Sequence, residues 1–311
     1  MDYAHARHAG NVGDVFKHLA LVGLLEELAR DAGPLRYVET HAADGLFPLG
    51  SAGEWGAGIQ SLWDVEGADL LARYVALVRR WSAVEARRPG KYPGSPLLAQ
   101  ALLRPQDSLL LHEIDAQSAG VLRRSLGDDA RADVREADGL AALPDAVAAS
   151  PDAGALADAV AASPDAAALA GALAASPDAA AASSDALAGA DRSFALVDAP
   201  YTEKGEWAAV ARAVVAARAR APQAVLAIWY PIKALTRPRG LLAALVEGGV
   251  HGTVVELLST PLRLKREKLN GSGMIFSGAP SAAIASLCAS LVRLGPLVAT
   301  HGEWSATQIG F

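Results

Sequence analysis

The stretch Phe194-Ala-Leu-Val-Asp-Ala-Pro-Tyr201 is an apolar run that ends abruptly in an acid, a proline and a tyrosine. Such a run predicts a buried strand whose end, at Asp198, faces a cleft at the carboxyl edge of a sheet. Other apolar runs, with helical patterns between several of them, predict further strands of an α/β fold. These runs cover residues 35–41, 108–114, 224–230 and 254–258, with a shorter one after residue 132.

The tetrapeptide Asp198-Ala-Pro-Tyr201 suits an exocyclic amino group on an aromatic ring, which is a poor nucleophile because its lone pair is delocalised. The Asp198 carboxylate and the Ala199 carbonyl can each accept one N–H and draw the nitrogen towards tetrahedral geometry. Pro200 stiffens the turn, and Tyr201 is placed to stack on the base. The tetrapeptide therefore predicts a site that methylates adenine N6, against the plainer interpretation of a strand followed by an ordinary turn.

Composition limits the partners and the compartment. The chain has 311 residues, 52% of them hydrophobic, which is enough for a large core. Its 28 Lys and Arg against 34 Asp and Glu give a net charge of −6, so a nucleic-acid partner needs a local basic patch. The single cysteine, Cys288, excludes an internal disulfide and a multi-cysteine metal site. We expect a cytoplasmic monomer with no metal, no secretion signal and no membrane span.

Residues 3–14 hold two histidines, an arginine, a tyrosine and two glycines ahead of the first regular element. Asp14 is typical of a helix N-cap, and apolar residues then recur at helical spacing until Gly33-Pro34. Lys17 and His18 fall in the first turn of this helix. They are either a solvated charge and a surface histidine or members of a site at the start of the helix.

Two further strand ends carry residues that suit a cofactor. Glu113 lies where a doubly wound fold holds ribose hydroxyls, although an exposed glutamate after a strand gives the same pattern. Asp138-Gly139 follows the third strand, where an adenine ring would be contacted. The sequence lacks a full glycine-rich phosphate loop, which favours a cofactor without phosphates, such as S-adenosylmethionine.

A change to helical spacing over residues 54–88 predicts a small helical subdomain inserted in the sheet domain. Ser95, in the rigid Pro-Gly-Ser-Pro turn that closes it, either caps the helix predicted at residues 97–103 or hydrogen-bonds a ligand. We divide the chain into the first part of the main domain, the helical subdomain and the remainder of the main domain, which are residues 1–50, 51–92 and 93–311.

Residues 145–190 are of a different composition. Alanine makes up 23 of these 46 residues, and Ala-Ser-Pro-Asp-Ala recurs with a period of 13. The repeat predicts short surface helices or a partly disordered tract, because most of its apolar side chains are too small to build a core. We assign it no chemistry.

Residues 263–268 form the only dense basic run, and residues 269–273 give it a flexible frame before a last strand at 274–276. Charge runs are usual on solvated faces. In an acidic protein this run is also the best candidate for holding RNA phosphates. The residues assigned to that role are Lys265, Arg266 and Lys268, together with Arg7 and Lys17.

These motifs occur together, in the order seen in one bacterial family. The chain resembles the 23S ribosomal RNA adenine-N6 methyltransferases from its N-terminus to about residue 276, outside the alanine-rich insert. The residues that carry the resemblance are Tyr3-x-His5-x-x-His8-Ala-Gly-Asn11-x-x-Asp14-Val-x-Lys17-His18, Glu-Thr-His41-Ala, Tyr-Pro-Gly-Ser95-Pro, Glu113, Ala-Asp138-Gly139, Asp198-x-Pro-Tyr, Trp-Tyr230-Pro and Ser272-Gly-Met274.

The resemblance implies a class I, Rossmann-like methyltransferase fold with a mostly parallel seven-stranded sheet, a small helical subdomain and S-adenosylmethionine at the carboxyl edge. It also implies that Asp198 is the catalytic acceptor, with Pro200 and Tyr201 beside it, and that Tyr3 touches 23S ribosomal RNA. The substrate would be unfolded or free RNA, because a paired adenine cannot reach such a pocket. The implied cofactor residues are Lys17, His18, His41, Ser95, Glu113, Asp138, Gly139 and Asp198.

The chain departs from the family pattern at two turns. It has Ala43-Asp44 where the family has a second glycine-bearing turn, and Ala199 where the family has a proline. Neither change removes a side chain that does chemistry. Two other functions stay open at this point: a DNA adenine-N6 methyltransferase, which would use the same tetrapeptide, and a non-catalytic RNA-binding assembly protein.

Overall fold

The computed structural model describes residues 5–51, 53–83, 87–148, 192–264 and 269–311. Its main feature is a sheet of eight strands in the order β10-β8-β9-β7-β6-β1-β4-β5. The sequence-based expectation of a class I α/β fold is confirmed, with eight strands where seven were expected. Those strands are β1 (Leu35–Glu39), β4 (Ser108–Glu113), β5 (Ala132–Glu136), β6 (Arg192–Val197), β7 (Val225–Ile232), β8 (Thr253–Leu258), β9 (Gly271–Ser277) and β10 (Ser305–Gly310).

Five neighbouring strands, β5, β4, β1, β6 and β7, run parallel. Helices cover both faces of this half, because parallel strands need crossover connections and are apolar on both sides. One face carries α2 (Val12–Leu28), α4 (Ser95–Leu102), α5 (Ala116–Leu126) and α9 (Ser281–Val298), and the other carries α6 (Gly139–Ala148), α7 (Glu206–Arg220) and α8 (Thr236–Glu247). Strand β6, which contains the apolar run that ends at Asp198, lies in the middle of the sheet. Its Phe194 and Leu196 side chains lie on the first face, and those of Ala195 and Val197 lie on the second.

The other end of the sheet is antiparallel. β9 pairs with both β7 and β8, and β10 pairs with β8. Two expectations were wrong here. The strand that contains residues 274–276 is not the last, because the exposed β10 follows it, and residues 271–273 are buried inside β9 instead of framing a loop. Gly273 leaves room for the ring of Tyr230, since a Cβ there would lie 2.1 Å from the Tyr230 Cζ atom.

The first long helix, α2, begins one turn earlier than expected. Asn11 is its N-cap and accepts the backbone N–H of Asp14 at 2.9 Å, so Asp14 lies inside the first turn. The helix ends at Leu28, before the Gly33-Pro34 pair. A short helix α1 (His5–His8) precedes it. This shift places Lys17 and His18 in the second turn, on the side that faces the sheet.

Between β1 and β4 lie the helix α3 (Leu70–Arg79) and a small two-stranded sheet, in which β2 (Leu46–Pro48) pairs antiparallel with β3 (Lys91–Pro93). Two short 3-10 turns, Glu54–Gly56 and Ile59–Leu62, precede α3. The side chains of α3 share one apolar core with α2 and α9. The sequence patterns missed this small sheet, because strands of three residues are too short to show a period.

Among the described residues, one helix, α9, is long and apolar enough by length and composition to cross a membrane. A core helix of a globular protein passes the same test, and Ile284, Leu287, Leu291 and Leu294 of α9 are buried in the core that it shares with α2. The residues predicted to form the alanine-rich insert lie outside the described ones from position 149 onward.

Candidate functional site

The carboxyl ends of β1 and β6 meet at the point where the strand order reverses. From β1 the chain moves to β4 and β5 on one side, whereas β6 leads to β7 on the other. The helices that follow β1 and β6 therefore leave in opposite directions and open a crevice outside the strand ends. Glu39 ends β1 and Asp198 follows β6, so two acids stand at the mouth of this crevice.

Asp198 is held there by Lys17. The Lys17 ammonium donates to the Asp198 Oδ2 atom at 2.5 Å and also lies 2.9 Å from the Asp14 Oδ1 atom. Burial alone would lower the pKa of Lys17, but the two carboxylates outweigh it and raise that pKa above its ordinary value. Lys17 therefore stays protonated, and one buried cation stands between two acids.

The start of α2 fixes this cation. Asp14 accepts the backbone N–H of Gly10 at 3.0 Å, which ties the residue that pairs with Lys17 to the loop before the helix. The Lys17 ammonium also lies 6.0 Å from the ring centre of Trp229, at the edge of cation–π range. The sequence pattern marked Lys17 as a member of a site at the helix start, but its contact with Asp198 joins residues far apart in sequence and left no pattern.

His18 is buried and neutral. Its Nδ1 atom lies 2.8 Å from the Tyr92 hydroxyl, and the two rings stack with centres 5.3 Å apart. Burial, with the Lys17 charge added, lowers the pKa of His18 to about 3. Its Nε2 atom is buried and has no hydrogen-bond partner among the described residues. His18 is therefore not a surface histidine, and its buried Nε2 atom is available for a hydrogen bond with a ligand.

Glu39 is a functional candidate that the sequence analysis did not single out. It is fully buried, and its carboxyl accepts the Tyr37 hydroxyl at 2.8 Å and the hydroxyl of Ser95. Burial raises the pKa of Glu39 to about 8. The sequence did carry a signal for Glu39, since this acid comes at the end of the apolar run of β1 in the way that Asp198 comes at the end of the run of β6. Ser95 does not cap α4, because Gly94 holds the N-cap position.

The predicted cofactor residues on the other side of the crevice lie at the ends of β1, β4 and β5. The Glu113 carboxylate accepts the backbone N–H of Ala43 at 2.8 Å and that of Asp115 at 2.9 Å, which joins the two strand ends. His41 Nδ1 lies 2.8 Å from the Thr40 hydroxyl, and burial lowers the pKa of this histidine.

Asp138 and Gly139 begin α6 at the same edge. The Asp138 Oδ1 atom accepts the backbone N–H groups of Leu140 and Ala141 at 2.9 and 3.1 Å. Gly139 packs against the backbone after β1 so closely that a Cβ would lie 2.1 Å from the Thr40 carbonyl oxygen. Only glycine fits this approach, which brings the end of β5 next to the end of β1.

The loop after β6 has a constrained backbone. Tyr201 has a φ of +52°, in the left-handed region that residues with a side chain seldom adopt. Its ring is buried against Trp207, with ring centres 4.4 Å apart, and its hydroxyl has no hydrogen-bond partner among the described residues. Ala199 is buried too, whereas Pro200 is half-buried.

Most of the predicted RNA contacts cannot be placed. Tyr3, Lys265, Arg266 and Lys268 lie outside the described residues, and Arg7 is exposed at the end of α1. Within the part of the chain that the structure describes, no group of three or more His, Cys, Asp or Glu side chains could hold a metal ion.

The topology and the site together define the class of protein. Reversed strand order at β1 and β6, an antiparallel strand next to β7, and an Asp-x-Pro-Tyr loop at the switch point make this a class I, Rossmann-like methyltransferase fold. The family model described as "Ribosomal RNA large subunit methyltransferase D, RlmJ" matches residues 32–157 and 173–307. The chain belongs to this family, which confirms the resemblance drawn from its motifs.

The names of two relatives agree with this family. The chain is 29% identical over 287 residues to "Ribosomal RNA large subunit methyltransferase J" of Escherichia coli (strain K12), a match that covers 90% of this chain and 88% of the relative. The Haemophilus influenzae protein of the same name is 27% identical, with the same coverage of both chains. A crystal structure of a Legionella pneumophila protein, 23% identical, covers 97% of this chain and 98% of its own with a TM-score of 0.77, which shows the shared fold.

Proposed function

We propose that this protein transfers the methyl group of S-adenosylmethionine to N6 of an adenine in 23S ribosomal RNA, and that it acts on free or unfolded RNA in the cytoplasm. Membership of a family of ribosomal RNA large subunit methyltransferases supports the class of reaction and of substrate. The observation that carries the choice of adenine N6 is Asp198, a carboxylate at the switch point held by a buried cation in an Asp-x-Pro-Tyr loop.

Asp198 suits the acceptor role because its negative charge is fixed in place. The Lys17 ammonium donates to the Asp198 Oδ2 atom at 2.5 Å, and a carboxylate has only acceptor atoms. One of its oxygens can bind Lys17 while the other accepts an N–H of the target amino group. The Ala199 carbonyl then supplies the second acceptor, so that the lone pair on nitrogen turns away from the ring.

The cofactor supplies an activated methyl group on a sulfonium, so no metal has to activate the donor. What the protein contributes is the position of the amino group, in line with that methyl group and away from bulk water. Asp198 also stands next to the nitrogen that becomes positively charged during transfer. Its carboxylate therefore stabilises the product side and can take the proton that the nitrogen releases.

The residues at the crevice fit S-adenosylmethionine. This cofactor is a cation overall, and the strand ends on the β4 and β5 side carry acids, among them Glu113 and Asp138. His18 offers a buried ring nitrogen without a partner among the described residues, close to Lys17. Along with these residues, we assign His41, Ser95 and Gly139 to the cofactor site, as the family resemblance implies.

The substrate must present an unpaired base. The Asp198 side chain is only 17% exposed, and Lys17 and Tyr201 around it are buried. An adenine stacked inside an RNA helix cannot bring N6 to such a recessed carboxylate, whereas a flipped or single-stranded adenine can. In this structure the Tyr201 ring packs against Trp207. For Tyr201 to stack on the target base, its ring has to turn one face away from Trp207.

The test is methyl transfer by the purified protein to unmodified 23S ribosomal RNA transcribed in vitro, with the product mapped by mass spectrometry. We expect N6-methyladenine at one position in the free RNA, little or none in the assembled subunit, and a rate lower by about a hundredfold or more with the Asp198→Asn variant. A DNA oligonucleotide of the same sequence serves as a second substrate. Methylation of the DNA alone, or of no substrate at all, would contradict the proposal.

A further inference from the structure

The carboxyl edge of the sheet is divided by charge. On the β4 and β5 side the residues that end these strands or follow them within two positions include four acids, of which three are exposed and Glu113 is half-buried. They are Glu113, Asp115, Glu136 and Asp138. RNA phosphates are repelled from this half, which is also the half assigned above to a cationic cofactor.

The β7 side of the same edge is basic. Lys233 directly follows β7, and Arg237 and Arg239 lie in the first turn of α8; all three side chains are exposed. We call these three residues the α8 basic patch. No ion pair joins any of them to another described residue, in contrast to Arg263 on the neighbouring loop, which pairs with Glu303 at 2.6 Å. Free exposed cations are available to phosphate without first breaking a bond.

The strand register places this patch near Asp198. Val197 of β6 pairs with Ile228 of β7, so Asp198 stands one residue beyond the pair and Lys233 five residues beyond it. A strand rises about 3.3 Å per residue, which puts Lys233 about 13 Å farther out than Asp198 and one strand to the side. This separation matches a chain of nucleotides that runs outward from a base held at Asp198.

We infer that the α8 basic patch binds the phosphate backbone of single-stranded RNA next to the target nucleotide, so that the RNA leaves the site over β7 and α8 and not over β4 and β5. The inference rests on the proposed function, because it names the surface by which the RNA substrate is held. Lys204, on the loop after β6, is left out of the patch because Glu203 and Glu206 lie beside it in the sequence.

The experiment measures the salt dependence of binding to a uridine-only oligoribonucleotide of about 15 nucleotides, a length within reach of a single-strand binding surface. The patch variant carries Lys233→Gln, Arg237→Gln and Arg239→Gln. A matched control removes three other exposed cations that have no ion pair with a described residue, through Arg80→Gln, Arg124→Gln and Arg212→Gln. The two variants have the same net charge and differ only in where the charges were lost.

We expect the patch variant to lose about 0.7 of the slope of log K against log salt for each phosphate contact removed, or about 2 in total, and the control to keep the wild-type slope. A patch variant with the wild-type slope, or a control variant that loses as much, would overturn the inference. Because the probe has no adenine, the result does not depend on methyl transfer, so it can fail while the proposed function stands. In the methylation assay, the patch variant should raise KM for RNA more than it lowers kcat.

Discussion

The two edges of the sheet differ in how most of their polar side chains are paired. At the amino edge, Arg104 and Arg192 donate to the backbone carbonyls at the end of α2 and the loop after it, including a shared bond to Gly33 at 2.7 and 2.9 Å. Asp107 is fully paired there as well, with Arg104 at 2.8 Å and with the Leu35 backbone N–H at 2.9 Å. Apart from the Arg104–Asp107 pair, which lies within one loop, these bonds connect separate parts of the fold.

At the carboxyl edge, buried polar atoms are left without partners among the described residues. They include His18 Nε2, the Tyr201 hydroxyl and Trp229 Nε1. Tyr201 is held in a strained backbone conformation, and Glu39 is buried with a raised pKa. An unpaired buried polar group costs about 1 to 3 kcal/mol of folding free energy, so the unpaired groups at this edge lower the stability of the protein. The comparison indicates that the amino edge holds the fold together, and it supports the proposal that the carboxyl edge serves the reaction.

Asp198→Asn should have the largest effect on the carboxyl edge. The substitution keeps the volume of the side chain but removes the charge that is proposed to accept the amino N–H, so we expect methyl transfer to fall about a hundredfold or more, equivalent to about 3 kcal/mol. Single-turnover kinetics on free RNA measures the loss. Thermal unfolding of the same variant should show no comparable loss, and a variant that unfolds instead would place Asp198 in the stabilising part of the molecule.

Arg104→Gln should do the reverse at the amino edge. Removing the guanidinium leaves the buried Asp107 carboxylate without its cation and takes a donor from three carbonyls, of which Gly33 keeps its bond from Arg192. We therefore expect the free energy of unfolding to fall by about 2 to 3 kcal/mol. Turnover per folded molecule should stay unchanged. Arg135→Gln is the control, because its pair with Asp133 is exposed on both sides and contributes little. If Arg104→Gln reduced turnover and left the free energy of unfolding unchanged, the proposed difference between the two edges would be wrong.

Glu39 gives the carboxyl edge a pH dependence. Its folded pKa of about 8 lies above the unfolded value, so the folded state favours the protonated form. The contribution of Glu39 is therefore fully present below its unfolded pKa and is lost as the pH rises through about 8. We expect wild type to lose about 2 kcal/mol relative to Glu39→Gln between pH 6 and pH 8. Denaturant unfolding of both proteins checks this, and parallel pH curves would show that Glu39 does not titrate as stated.

Ala43→Gly should have the smallest effect and the opposite sign. Ala43 has a φ of +51° at the turn where the family has glycine, so glycine relieves strain of about 1 to 2 kcal/mol. The greater freedom of glycine in the unfolded chain offsets about half of that gain, which leaves a net stabilisation of about 0.5 kcal/mol. Ala42→Gly is the control, since Ala42 is buried with φ outside the left-handed region. Equal destabilisation by both changes would mean that Ala43 is not strained.

The sequence predicted the parallel half of the sheet well, because buried strands such as β6 are continuous apolar runs. It missed β10, whose Ser-Ala-Thr-Gln-Ile-Gly sequence is exposed throughout and owes its strand structure to pairing with β8. Local patterns also misplaced the cap of α2, since both Asn11 and Asp14 are typical cap residues. The fold decides between them, because Asn11 accepts the Asp14 backbone N–H and Asp14 pairs with Lys17 one turn further along the same helix.

The candidate site shows the same limit. Asp198 was predicted as a site residue from its own tetrapeptide, because the chemistry of four adjacent residues is visible in sequence, and its role stays a prediction. The pairing of Lys17 with Asp198, and of Ser95 with Glu39, joins separate elements and became visible only in the fold. Glu39 was missed although it ends an apolar run, since an acid at a strand end is as common on solvated surfaces as in clefts.

The ion pair between Lys17 and Asp198 joins residues 181 positions apart, and this separation sets the order in which the protein matures. A ribosome adds about 5 to 20 residues per second, so Lys17 is made about 10 to 40 s before its partner. During that interval Lys17 has only Asp14 as a counter-charge, and β6, which borders the crevice opposite β1, has not yet been made. Asp198, the carboxylate proposed to act in methyl transfer, is therefore added late in synthesis, after the helix that holds it has already been made.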